Sequence, residues 1–421
     1  MIHHPPGPQW RATTVAVADP GELAAYLPAS GGHAWLRRGD GMVGIGEVAR
    51  FEGGTAAEAD EWWQDVCSRI EQETELPGTC ATGPVAFASF VFDPAHTAQR
   101  SVVIVPRVVI GRRNGVSWLT TVAARSGPEP SAPAAQPVPQ RPSGARVVSG
   151  SLDEVAWQGI VEQAVARIGE GRLDKVVLAR GVTLAAPAPV DTRTLVTRLA
   201  ASYPSCWTYH VDGLVGASPE MLIRREGGLA TSRVLAGTIR RNGGEELDLK
   251  LAHALARSGK NLIEHELAVA SVAHALEPFC SGMNVPDAPY VLELPNVLHL
   301  ASDVTAVAHP DVSVLRLAGE LHPSAAVCGT PTPVARETIA ELEHLDRGRH
   351  SGPVGWLDSA GDGEFALALR CGLIDPADPE RITVYAGCGI VAESDPAEEF
   401  AETEAKLLPM LEALGADLPA H

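Results

Sequence analysis

Cations are in short supply in this chain. Its 421 residues hold 33 Lys and Arg against 52 Asp and Glu, for a formal net charge of −19. Such an acidic balance speaks against nucleic acid and against anionic membrane surfaces as partners. It also means that an anionic ligand needs cations, or a metal, placed locally. Cysteine is sparse and unpatterned. There are seven, an odd number, and none forms Cys-x-x-Cys. They read as reduced thiols of a cytoplasmic protein, mostly packing residues. No apolar run reaches the length of a membrane span. The opening residues, MIHHPPGPQWRATT, lack the apolar core of a signal peptide. There is no Walker A sequence and no His-Glu-x-x-His. The Gly-x-Gly of YAGCGIV has neither a third glycine nor a helix directly after it, so a Rossmann fingerprint is not supported.

What is present is a large apolar fraction, 45%, enough for a sizeable core. Residues 1–125 read mainly as strands, with a hairpin around Gly39-Asp40-Gly41. One helix stands among them, TAAEADEWWQDVCSRIEQE, with apolar positions at Ala57, Trp62, Val66 and Ile70. Residues 126–149 are rich in Pro, Ala and Ser and read as a loop or linker. Ser151 with Glu154 reads as a capping box for the next helix. A strand follows, LDKVVLARG. Beyond it the spacing predicts a helical stretch that breaks near Ser258-Gly259, a hairpin around Gly361-Asp362-Gly363, and a closing helix with Pro396 in its first turn. Long strands interspersed with helices, without strict βαβ alternation, predict an α+β fold with large antiparallel sheets.

Four places could carry chemistry. In LDKVVLARG, strand alternation puts Lys175 on one face with Val177 and Ala179. It is either a solvated strand end or an amine aimed into a site. Glu220 follows a Gly-Ala-Ser-Pro turn in which Pro219 stiffens the backbone. That suits a positioned general acid, and equally an ordinary turn. Glu264 has small or apolar neighbours at +3, +4 and +7, so it needs a lysine or a metal to offset its burial. Glu399, Glu402 and Lys406 share a helix face. They read as a solvated, salt-bridged face or as a carboxylate pair for a hard cation; oxygen ligands from two helices would suit Mg²⁺. His265, His299 and His322 lack metal-ligand spacing and read as packed histidines.

Together, LDKVVLARG, GASPEML, VLAGTIRR, KNLIEHELAV, VLHLASDVTA, LHPSAAVCGTP, GEFALALR and YAGCGIVAESDPAEEFAETEAK resemble, in order and spacing, the chorismate-utilising enzymes. These are the isochorismate, salicylate, anthranilate (component I) and aminodeoxychorismate (component I) synthases. The likeness covers about residues 150–412. It implies one large α+β domain over residues 1–421, two antiparallel sheets wrapped by helices, with the Pro-rich stretch as a crossing loop. It implies Glu264 and Glu402 as Mg²⁺ ligands supported by Glu399, the ion holding the ring carboxylate of chorismate. Lys406 would neutralise substrate charge. Arg370 and the backbone at Gly387 would hold the enolpyruvyl carboxylate. Gly237, Thr238 and His299 would line the pocket. Lys175 would be the general base and Glu220 the general acid.

The resemblance also separates activities. Ammonia-using members generally lack a lysine at position 175. Aminodeoxychorismate synthases place a nucleophilic lysine where this chain has Ala236. Tyr385 stands where many salicylate synthases resemble one another in carrying arginine. Water is then the expected nucleophile and isochorismate the expected product, with salicylate synthase as the alternative. The implied partner is a small molecule, with no glutamine amidotransferase subunit, in a monomer or weak homodimer. Whether the product serves menaquinone or siderophore synthesis is not written in these residues.

Overall fold

A computed structural model of the chain describes residues 9–137, 142–241, 244–293 and 297–416. The side chains of Thr238, Arg240, Glu245, Lys260, Glu264 and Val297 fall outside that description. The chain forms two large sheets. Among the described residues one has 13 strands and the other 10, and nearly all pairings are antiparallel, as the α+β expectation requires. In the first sheet the site-bearing strands run in the order Arg146–Gly150, Lys175–Ala185, Arg381–Ile390, Cys371–Ile374, Leu214–Ser218, Trp207–Val211. In the second, Val297–Ala308, Leu229–Arg240, Met221–Glu226, Gly363–Leu367 and Pro353–Asp358 lie side by side.

The sheets pack through an aromatic layer. Trp35, Tyr209 and Tyr385 come from the first sheet, Phe87 and Trp356 from the second. Helices cover the outer faces. The closing helix, Pro396–Leu414, lays Leu407 and Leu411 on Val182, Leu184, Ile382 and Val384 of the first sheet. Burial of this scale is the main stabilising term. The helical stretch divides as the sequence suggests, into Glu245–Arg257 and Gly259–Leu276. Ser258 is the C-cap of one and the N-cap of the other, accepting from Asn261 N. No helix among the described residues is long and apolar enough to cross a membrane.

Five details differ from expectation. The first hairpin turns at Arg38-Gly39, both at positive φ (52° and 83°), one residue early. The first helix is Ala56–Ser68 and buries Trp63, not Trp62, with Ala59 and Val66. Ile70 leaves the helix, because Ile70–Thr74 finds a parallel partner in Trp10–Ala16. Ser151 does not cap the helix that follows. Its hydroxyl accepts from Gly181 N at 2.9 Å, so Asp153 caps Glu154–Gly169 instead, accepting from Ala156 N at 2.8 Å. The Pro-rich stretch ends in a strand, Arg146–Gly150, paired with Val182–Ala185; its residues 138–141 lie outside the described residues.

Candidate active site

Two sheet-to-sheet crossings place the core of the site. Leu214–Ser218 belongs to the first sheet and Met221–Glu226 to the second, so the chain crosses at Pro219-Glu220. Gly363–Leu367 belongs to the second and Cys371–Ile374 to the first, so it crosses back at Ala368–Arg370. The flanking strands pair with each other on both sides, Gly216 with Cys371 and Met221 with Ala366. Glu220 and Arg370 are thereby neighbours on the floor between the sheets. Arg370 adopts a positive φ of 49°, uncommon outside glycine. Its carbonyl accepts from Ala217 N at 3.2 Å, and Leu367 N donates to Glu220 O at 3.1 Å.

The Glu220 carboxyl is surrounded by protein, and the residue as a whole keeps partial exposure. Burial pushes its pKa up to about 7, against the pull of Lys175, Arg370 and Lys406. Burial likewise holds Arg370 below the usual guanidinium range, with Glu402 and Glu220 among the groups that counter it. The acidic chain thus gathers three cations around one carboxyl.

Lys175 opens its strand on the inner face, with Val177 and Ala179 opposite Gly389 and Gly387. A Cβ at Gly389 would lie 2.8 Å from Lys175 Cε and 3.4 Å from Nζ. Glycine there lets the lysine side chain lie across the neighbouring strand. The sequence marks Gly389 only as part of a Gly-x-Gly; its place opposite the lysine face is a matter of strand register. Gly387 is as tightly held, since a Cβ would come within 2.5 Å of Leu178 O. Past Val384, the other edge of this strand meets no strand among the described residues. Lys406 caps that edge, donating to Gly387 O at 2.8 Å.

Lys406 also pairs with Glu402 at 2.5 Å. Burial opposes the Glu402 charge, but Lys406, Arg370 and His299 offset it and the carboxyl is held below its ordinary pKa. Glu399, one turn earlier, accepts from Ser394 Oγ at 2.7 Å, and burial raises it. The polar face of the closing helix is therefore turned toward Gly387, Arg370 and His299 and is not merely solvated. His299 is pushed down to about 4 by burial, then by Arg370 and Lys406, so its imidazole is neutral at neutral pH.

From the second sheet, Gly237 forms a bulge at φ 79° between Ala236 and Thr238. A Cβ there would stand 3.2 Å from Asn261 Cβ and 3.3 Å from Leu300. Thr238 is the cross-strand partner of His299; its side chain lies outside the described residues. Glu264 precedes His265 in its helix, and its side chain is likewise outside them. His265 anchors that turn, Nδ1 to Ala236 O at 3.2 Å and Nε2 to Ser302 Oγ at 2.8 Å. His322 is a packed histidine, bonded to Phe92 O at 2.9 Å. Tyr385 is only 5% exposed. It belongs to the aromatic layer, stacked on His350 at 4.9 Å between centroids, and forms floor more than wall.

The acidic donors on the closing helix are all oxygen, and the buried Glu399 would gain from a nearby cation. That chemistry fits Mg²⁺. Among the described residues, the ligand atoms of Cys80, Asp358 and Asp362 lie within 4.8 Å of one another. Their oxygens are spent. Asp358 accepts from the amides of Ala81, Ala360 and Asp362, and Asp362 from Arg225 and Gly227 N.

Known proteins resemble this chain in sequence and in fold. The family described as "Chorismate binding enzyme" matches residues 35–415. Isochorismate synthase MenF of Bacillus subtilis is 32% identical over 408 residues, covering 89% of this chain and 86% of that protein. Isochorismate synthase DhbC of the same organism is 41% identical over 269 residues, 61% of this chain and 67% of that protein. Among solved structures, the menaquinone-specific isochorismate synthase MenF of Escherichia coli superposes with a TM-score of 0.80 at 25% identity, covering 97% of this chain and 95% of that one.

Proposed function

The chain belongs to the chorismate-binding enzyme family, and from that premise we propose that it is an isochorismate synthase. One observation carries the reading: a carboxyl with a pKa of about 7, Glu220, sits on the cleft floor with Lys175, Arg370 and Lys406 around it. Chorismate is a dianion, and Arg370 and Lys406 suit it in an otherwise acidic protein.

In the proposed reaction, water adds at C2 of the ring, the ring double bonds shift, and the C4–O bond breaks. Hydroxide is a poor leaving group, so Glu220, held protonated up to about neutral pH, gives its proton to the C4 oxygen, which leaves as water. Lys175 takes the proton of the incoming water. Arg370 and the backbone at Gly387 hold the enolpyruvyl carboxylate. His299, neutral, offers hydrogen bonds without charge. Glu402 and Glu399, with Glu264, would hold Mg²⁺, which would orient the ring carboxylate and neutralise its charge. With water as nucleophile, no ammonia-supplying partner is needed.

The test is to incubate the protein with chorismate and Mg²⁺ and resolve the products by chromatography. Isochorismate is expected. Salicylate with pyruvate would reassign the chain to the lyase branch. Anthranilate formed only with added ammonium would overturn the role of Lys175.

A further inference from the structure

The Lys175 strand has one complete edge and one broken edge. Arg381–Ile390 ladders it from Val176 to Ala185. On the other side, Arg146–Gly150 reaches only Val182–Ala185, and Gly329–Thr330 only Lys175 and Val176. Residues 177–181 face no strand there among the described residues.

Most of their outward backbone groups nevertheless find partners, those of Gly181 in Ser151. Val177 N donates to Cys328 O at 2.8 Å. Ala179 N donates to Glu343 Oε1 at 2.7 Å, and Val177 O accepts from an Arg347 Nη at 2.6 Å. Arg347 also donates to Val327 O at 2.9 Å and to Glu343 Oε2 at 2.8 Å. The two side chains are 1% and 3% exposed, and the Phe92 ring covers the guanidinium at 4.2 Å.

A buried ion pair is an expensive way to fill space. Desolvating each charge is costly, and apolar side chains of similar volume often do as well or better. An apolar pair could not present one acceptor and one donor to residues 179 and 177. A ladder strand would present that same pattern, and charge-assisted hydrogen bonds fix it tightly.

We propose that Glu343 and Arg347 are positioning residues: they stand in for a missing strand and set the attitude of Lys175 over Gly389. The proposal rests on the reading of Lys175 as the base. Lys175 lies two and four residues from the clamped groups, and its own outer pairing is the two-residue contact with Gly329–Thr330.

The test compares Glu343→Gln, Arg347→Lys and the charge-free double variant Glu343→Met/Arg347→Met, each assayed as folded protein below its melting temperature. In the double variant kcat should fall about ten- to hundredfold while KM for chorismate stays within about twofold, the signature of a misplaced reacting group. The rising limb of its pH–kcat profile should shift. Glu343→Gln keeps an acceptor for Ala179 N–H and should recover most of the rate. Should the double variant not fold, Arg347→Lys, which loses the planar fork that reaches Val177 O and Val327 O, reads the same limb. A folded double variant, or in its place a folded Arg347→Lys, with wild-type kcat and an unshifted profile overturns the proposal, as does a rise in KM at constant kcat. Lys175→Ala separates the two claims. If it is inactive while the clamp variants are normal, only the clamp falls; if it stays active, the base assignment falls and the clamp with it.

Discussion

Glu220 and Asp358 are both buried carboxyls whose pKa burial pushes up, to about 7 and about 6. A search for perturbed acids would pick out both. Their surroundings differ. Asp358 closes a hairpin turn, and its two oxygens accept three backbone amides. Glu220 shares a cleft with Lys175, Arg370 and Lys406. The pKa alone does not separate a structural acid from a reactive one; the use already made of the oxygens does.

The sharpest break of that comparison is chemical. Lys175→Ala and Glu220→Gln should each lower kcat about a thousandfold, within the range for a lost acid or base, while chorismate still binds in a Mg²⁺-dependent way by calorimetry. Near-normal turnover in either variant would remove its role. Next, Glu402→Gln should raise the Mg²⁺ concentration for half-maximal activity at least about tenfold, and an unmoved Mg²⁺ titration would free Glu402 from the metal. Gly389→Ala should cost about tenfold in kcat at nearly constant KM, because the new methyl displaces Lys175.

Stability sharpens the same contrast. The folded pKa of Glu220 lies above its ordinary value of 4.5. The folded state therefore keeps a proton that the unfolded state loses as pH rises from 4.5 to 7, and ionisation destabilises the fold across that window. Glu220→Gln should be more stable than the wild type by roughly 1–3 kcal/mol above pH 7 and equal to it near pH 4. Chemical denaturation at the two pH values checks this. Asp358→Ala should do the reverse at neutral pH, losing about 1–3 kcal/mol through orphaned amides, with kcat within about twofold of normal. A large loss of kcat in that variant would collapse the distinction.

Much of the fold was legible because the signals were local. Ser258 ends one helix and starts the next, Gly361 and Asp362 turn a hairpin, and the stripe of Phe400, Leu407 and Leu411 is the buried face of the closing helix. The misses involved a distant competitor. Ser151 was drawn to Gly181 N, and Ile70 to the strand at Trp10. Trp62 and Trp63 are adjacent on one helix, and only its seating decided which went inward. In the site, Glu399, Glu402 and Lys406 could be placed on one face, but nothing local said what that face meets.

The sequence by itself determined that Lys175 shares a face with Val177 and Ala179, because strand alternation is a property of the backbone at that point. Its motifs, in order and spacing, also determined the family likeness. Only the tertiary structure decided that Glu220 and Arg370 would meet. They do so because the chain changes sheets at both residues and the flanking strands pair on either side. Only it decided that Lys406 would cap Gly387, and that an ion pair would hold the edge of the Lys175 strand. These contacts depend on the register of strands far apart in the chain, and no local pattern sets that register.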